Sequence, residues 1–318
     1  MTFPGPLDSV AIGLAMKLKP NDPCWCESSR KYKKCHKAFD EAPEARKYEE
    51  AQKAYAQIWR STAALQHGRG DYDWMSAQLD SYDMGRLLDV GCGSGHGLLA
   101  LTTARPALRI VAVDENLECL KIAADTLAKA GLSAQLVTRL DTKMTPAGFV
   151  QTGKPITDPL PMPIALVEAD PMSDAYLEEA LVRDGPFDAV TIWLTGAHMW
   201  RRTNVVSRSR GARSEHDLRI LLQNDVYELA DRILRRGGVL QVVDRSEAPT
   251  SDVVYNGYLD SHREQAEPTS MDVREIAYRL WETPEGAGTK LITTTPDTRD
   301  KGLPPPELAL VSIISVKT

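Results

Sequence analysis

Two hydrophobic rhythms alternate along most of this chain. Short apolar runs, several of them β-branched, stand at 86–90, 109–114, 164–170, 187–194 and 239–243. Between them, at 98–103, 118–130, 176–182 and 217–234, apolar residues recur at helical spacing. Brief apolar runs without polar alternation suit strands buried on both faces, and their alternation with helices implies a parallel sheet covered on both sides. Ahead of this region, 41–65 is rich in Ala, Glu, Lys and Gln, which favour helix. Tyr48, Ala51, Ala54, Tyr55 and Ile58 give it one apolar stripe, and Gly68-Arg69-Gly70 breaks it. A second helix is expected over 72–79, where Tyr72 and Trp74 suit core packing.

The later segments are read as a helix at 271–280 and a closing hairpin of 290–295 with 308–316. Two segments, 134–138 and 164–168, compete for the third strand; the second is preferred because it ends in acids. The Pro- and Gly-bearing stretch between them, 146–163, reads as an inserted loop.

The chemistry concentrates in Leu87-Leu88-Asp89-Val90-Gly91-Cys92-Gly93-Ser94-Gly95-His96-Gly97. A buried strand runs into a turn with glycine at every second position, where bare main chain can approach a ligand. The spacing is wrong for a dinucleotide fingerprint, which places its third glycine three residues after the second; His96 stands there. Asp114 closes the second strand at the interval where an acid accepts ribose hydroxyls, or else caps the next helix.

The acid followed by Gly91-x-Gly93-x-Gly95 resembles motif I of the class I S-adenosylmethionine (SAM)-dependent methyltransferases. That resemblance implies an α/β, doubly wound, Rossmann-like sheet of seven mostly parallel strands with the last antiparallel. It implies a SAM site built from Asp89, Gly91, Cys92, Gly93 and Gly95, from Asp114 and Glu115, and from Asp170 and Pro171 beside the adenine. The alternative for Asp170 is to cap the helix that follows. Cys92 and Cys119 read as packing residues. Trp193-Leu194-Thr195-Gly196 differs from the Asn/Asp-Pro-Pro-aromatic signature of nucleic-acid amino-methyltransferases. It also lacks the cysteine nucleophile of cytosine C5 enzymes, and no Cys-x3-Cys-x2-Cys radical-SAM pattern is present.

After the fourth strand, 196–202 leads into 204–213, where Arg208, Arg210 and Arg213 alternate with small residues. This is either a solvated loop or a rim for an anionic methyl acceptor. His198 is a candidate general base, with Tyr255, Tyr258 and His262 as weaker ones.

Three of the five cysteines crowd before residue 36, which suits metal binding in a reducing compartment better than a disulfide framework. Cys24, Cys26, Cys35 and His36 make a closed four-ligand set for structural zinc. Asp22-Pro23-Cys24-x-Cys26, then Lys31-Tyr32-Lys33-Lys34-Cys35-His36, resembles the SEC-C motif, departing from it at Glu27 and Ser29. Such modules are docking elements, so the resemblance implies a ribosomal or acidic protein partner. A net charge of -6 gives no overall nucleic-acid signature, so any such contact would be local. No apolar run approaches a membrane span, and the lysines of 1–20 follow its apolar patch instead of preceding it, unlike a secretory signal. A cytoplasmic protein is expected.

The expected organisation is a zinc module at 1–40, a helical connector or lid at 41–80 and a catalytic domain at 81–318. The expected activity is transfer of a methyl group to an oxygen or nitrogen. The competing reading is a non-catalytic SAM-binding protein docked through its zinc module.

Overall fold

The computed structural model describes residues 19–23, 30–35, 37–196, 199–283, 285 and 306–318. After a 3-10 turn at Tyr32–Lys34 and a short helix α1 (Lys37–Asp40) comes the long α2 (Glu44–Gly68). Its buried residues are Tyr48, Ala56, Trp59, Thr62, Ala63 and Gln66, spaced by three, four or their sums. The stripe expected from sequence is rotated: Ala54 and Ile58 are exposed and Trp59 is in. The indole is the largest apolar group on the helix, so its burial sets the phase and leaves Ile58 outside.

α3 (Asp71–Ala77) leads into β1 (Arg86–Val90), α4 (His96–Ala104), β2 (Arg109–Asp114) and α5 (Leu117–Lys129). The Asn116 side chain accepts the N–H of Glu118 and caps α5. Then come β3 (Ala134–Val137), β4 (Leu140–Thr145), β5 (Gly148–Gly153), β6 (Ile164–Glu168), α6 (Leu177–Arg183) and β7 (Phe187–Trp193). A 3-10 turn (Met199–Thr203) and α7 (Val205–Ser209) precede α8 (Glu215–Ile233), which starts in a Ser214/Asp217 capping box. The chain ends with β8 (Leu234–Glu247), α9 (Asp252–Ala266), β9 (Met271–Leu280) and β10 (Leu308–Lys317).

The main sheet has the order β3-β6-β2-β1-β7-β8-β10-β9, and only β10 runs against its neighbours. The doubly wound α/β architecture is as expected, with eight strands where seven were expected. Both candidates for the third strand are used: β6 lies beside β2, and β3 extends the sheet outside β6. The stretch 146–163 is not all loop, since β5 pairs with β4 in a separate hairpin.

Residues 271–280 are a strand, not a helix. Met271 and Val273 are buried around an exposed Asp272, the every-second-residue pattern of a strand, and the helix lies upstream in α9. The expected strand 290–295 lies outside the described residues. β10 has β8 on one edge and β9 on the other, so 271–280 takes the role given to 290–295.

One face of the sheet packs on α2, α3, α4 and α5, the other on α6, α8 and α9. On the first face Gln241 joins three elements: its Oε1 accepts from Trp193 Nε1 (2.9 Å), and its Nε2 donates to Met75 O and to Ser312 Oγ (both 3.0 Å). On the second, Tyr227 OH meets His262 Nδ1 and Ser315 Oγ, each at 3.0 Å. His262 is therefore a core residue, and burial lowers its pKa to about 4.

Candidate functional site

The carboxyl ends of β1, β2, β6 and β7 converge, which is where doubly wound sheets bind ligands. Gly93 (φ 53°) and Gly95 (φ 81°) hold left-handed backbone, and Gly95 caps α4. A Cβ on Gly95 would lie 3.0 Å from the backbone of Ala123, so this turn is closed to larger residues for packing reasons as well. The N–H of Gly91 donates to Val113 O at 2.8 Å and ties the loop to β2.

Asp114, at the end of β2, accepts the N–H of Gly93 on Oδ2 and that of Asn116 on Oδ1, both at 2.9 Å. Burial raises its pKa to about 6. Asp89, on β1, is buried and accepts Thr191 Oγ1 from the adjacent β7 at 2.7 Å. Burial, which outweighs this hydrogen bond, raises its pKa to about 7, with Asp114 contributing. Burial drives the Cys92 thiol well above its ordinary range, which suits packing and not nucleophilic attack.

Asp170, two residues beyond β6, is 1% exposed. Its carboxylate accepts Met172 N–H (3.0 Å) and Ser173 Oγ (2.6 Å) and pairs with Arg201. Arg201 also reaches Glu115 at 2.7 Å. Burial opposes the charge on this guanidinium, and Asp170 and Glu115 together outweigh it, so its proton is held more tightly than usual. Pro171 is half-buried, and Met172 packs with Ala212 and Leu218. Leu194, just past β7, has φ 54°, a strained value for a branched side chain at the ligand edge of the sheet.

α2 lies directly on this site. A Cβ built on Gly93 would be 2.5 Å from Trp59 Nε1, and one on Gly196 would be 2.6 Å from Tyr55 OH. Arg245, from the end of β8, has its guanidinium 5.6 Å from the Trp59 ring and 5.4 Å from the Trp281 ring. Sequence reasoning missed Trp59, Arg201 and Arg245 as site residues. For Trp59 the available signal was a tryptophan inside an otherwise Ala-, Glu- and Lys-rich helix.

The other candidates are placed differently. His198 lies outside the described residues. The Arg-rich segment is largely engaged within the chain: Arg208 Nη1 donates to Ala147 O at 2.7 Å, and Arg210 binds Asp225 through both terminal nitrogens. Of the zinc set, Cys35 is half-buried after the 3-10 turn, and Cys24, Cys26 and His36 lie outside the described residues. Among the described residues, no group of metal-ligating side chains gathers and no helix is long and apolar enough to cross a membrane.

The loop fits a nucleoside cofactor by residue type. A Cβ on Gly91, Gly93 or Gly95 would press on Thr195, Trp59 or Ala123, so the loop keeps a cradle of bare main chain here, and carboxylates stand on the neighbouring strand ends. In this conformation Trp59 and Arg201 fill the cradle and the gap between two of those carboxylates.

Two family models match the chain: the SEC-C motif over residues 21–38 and the methyltransferase small domain over residues 73–147. None of the curated proteins matches. Among solved structures, the chain is similar to the cyclase SpnF (18% identity, 65% of this chain and 59% of that one, TM-score 0.38). It is also similar to precorrin-6y C5,15-methyltransferase from Geobacter metallireducens (15%, 77% and 88%, 0.39). A third is a SAM-dependent O-methyltransferase from Thermotoga maritima (14%, 78% and 64%, 0.37). The chain thus spans less than two thirds of the first and third of these. The two family models agree with the resemblances read from the glycine loop and the cysteine spacing. Residues 73–147 thus carry a methyltransferase small domain and residues 21–38 an SEC-C motif.

Proposed function

We propose that this protein is a class I SAM-dependent methyltransferase that methylates an oxygen or nitrogen of an anionic acceptor, and that its SEC-C module holds structural zinc and docks a macromolecular partner. The observation that carries the catalytic part is the cradle itself: Gly91, Gly93 and Gly95 beyond a buried strand, with the Asp114 carboxylate bonded to the Gly93 N–H.

SAM supplies an electrophilic methyl group on a sulfonium. The main chain of 91–95 would hold it, with Asp114 on the ribose hydroxyls and Asp170 and Pro171 beside the base. Asp89 and Asp114 favour a cationic ligand by charge. Exclusion of water and alignment of the acceptor would supply much of the rate. Such a transfer needs no general base when the acceptor is already deprotonated. Arg245 offers a positive anchor at the end of β8, where the acceptor enters in this fold, which supports an anionic acceptor.

The zinc assignment rests on the spacing of Cys24, Cys26, Cys35 and His36. The basic residues Arg30 to Lys37 support an acidic or nucleic-acid surface as partner. The crowding of three cysteines before residue 36 supports a reducing compartment, and the proposed one is the cytoplasm.

The test is methyl-labelled SAM with fractionated cell extract. Label in protein, RNA or small molecules identifies the acceptor class. Tight SAM binding without labelled product in any fraction would overturn catalysis in favour of a SAM-binding adapter.

A further inference from the structure

We infer that this protein closes its own cofactor site, with α2 and the 199–204 segment forming a latch that SAM must displace; the inference rests on the cofactor reading above. The first half of the latch is Trp59. Its Nε1 lies 2.5 Å from where a Cβ would stand on Gly93, so the indole rests on the main chain that a nucleoside would need. Tyr55 makes the same approach to Gly196.

Arg201 is the second half. At 5% exposure it bridges Glu115 and Asp170, and so fills the gap between the ends of β2 and β6 with a positive charge. The remaining acid, Asp114, has each oxygen on a backbone N–H. Glycine loop and carboxylates are thus all engaged by the chain itself.

The two halves move as one because the β4–β5 hairpin holds both. Phe149 packs on Tyr48 of α2 with ring centroids 4.7 Å apart, and Gln151 Nε2 donates to Tyr48 OH at 3.2 Å. Phe149 also pairs by backbone with Asn204. Asn204, where this pairing ends, caps α7 by accepting the N–H of Val206 at 2.9 Å, so the hairpin is tied to the end of the 199–204 segment. Such a closed state opens when a ligand prefers the open one.

The experiment titrates S-adenosylhomocysteine into the full chain by calorimetry, comparing wild type with Trp59→Ala and Arg201→Met. Amide exchange of the wild type is followed with and without the same ligand. A closed state populated about ten to one gives about tenfold tighter binding in each variant. Exchange in 44–68 and 199–204 accelerates when ligand binds. Folded variants that bind equally or more weakly, or exchange that slows in those segments, would overturn the latch while leaving the cofactor reading intact. Should Arg201→Met fail to fold because Glu115 and Asp170 lose their partner, Trp59→Ala and the wild-type exchange decide. Binding by neither wild type nor variant defeats the cofactor reading and the latch with it; binding by the variants alone establishes both.

Discussion

The Asp114 carboxylate accepts the N–H of Gly93 at 2.9 Å, so the end of β2 holds the glycine loop in register with β1. In Asp114→Asn one acceptor oxygen becomes a donor amide facing a backbone N–H. A buried donor left unpaired costs about 1–3 kcal/mol. The variant should melt earlier and lose at least about tenfold in affinity for S-adenosylhomocysteine, since a charge-assisted partner is worth at least 1.4 kcal/mol. Calorimetry and a thermal melt read both.

Gly93→Val combines two penalties. Its φ of 53° strains a β-branched residue, and the new side chain meets the Trp59 indole. Binding of S-adenosylhomocysteine should disappear in a protein that still shows native far-ultraviolet dichroism. Unchanged affinity in such a protein would remove the glycine loop from the cofactor site.

The buried carboxylates give opposite pH trends for stability and binding. Asp89 is raised to about 7 and Asp114 to about 6 from an ordinary 3.8, so folding favours their protonated forms. Their contribution to stability is full below the ordinary value and is lost as pH rises through 6 to 7. A cationic cofactor prefers the ionised forms, so its affinity should rise over the same interval. Asp89→Asn should raise the melting temperature at pH 8, by on the order of 1–3 kcal/mol in stability, and change little at pH 4. Melts and titrations across pH test the pair of signs; parallel trends would contradict it.

Gln241 holds Trp193, Met75 and Ser312 together. Gln241→Leu leaves an indole N–H, a carbonyl and a hydroxyl buried without this partner. The expected loss is about 2–4 kcal/mol, read by urea unfolding, with little effect on zinc content.

The zinc assignment is tested on the full chain. Metal analysis should find about one zinc per molecule, lost in Cys24→Ser/Cys26→Ser. If the module docks a partner and does not serve the active site, that variant keeps its affinity for S-adenosylhomocysteine.

Most of the sheet was legible because burial on two faces demands unbroken apolar runs. Ile110-Val111-Ala112-Val113 is such a run, and Leu87-Leu88-Asp89-Val90, broken by one acid, is marked as a strand by its short length and the glycines that follow. The failures share a cause, since at 271–280 and in α2 apolar and charged residues mix, and only tertiary contacts decide the period or the phase. Met271 and Val273 were too few to announce a strand, and Ile58 and Trp59 compete for one face. At the site, the glycine loop could be read because close backbone approach restricts residue type. Arg201, 31 residues after Asp170 in the chain, could not be paired with that acid from local pattern.

The insertion of β10 between β8 and β9 has a consequence for how the molecule is made. Among the described residues, β9 joins the main sheet through β10, a strand that lies further along the polypeptide. During translation the β9 edge that faces β10 must therefore wait until residues 308–317 emerge, and the β8 edge waits with it. Nascent chains halted before that point should be the species most prone to stick to one another.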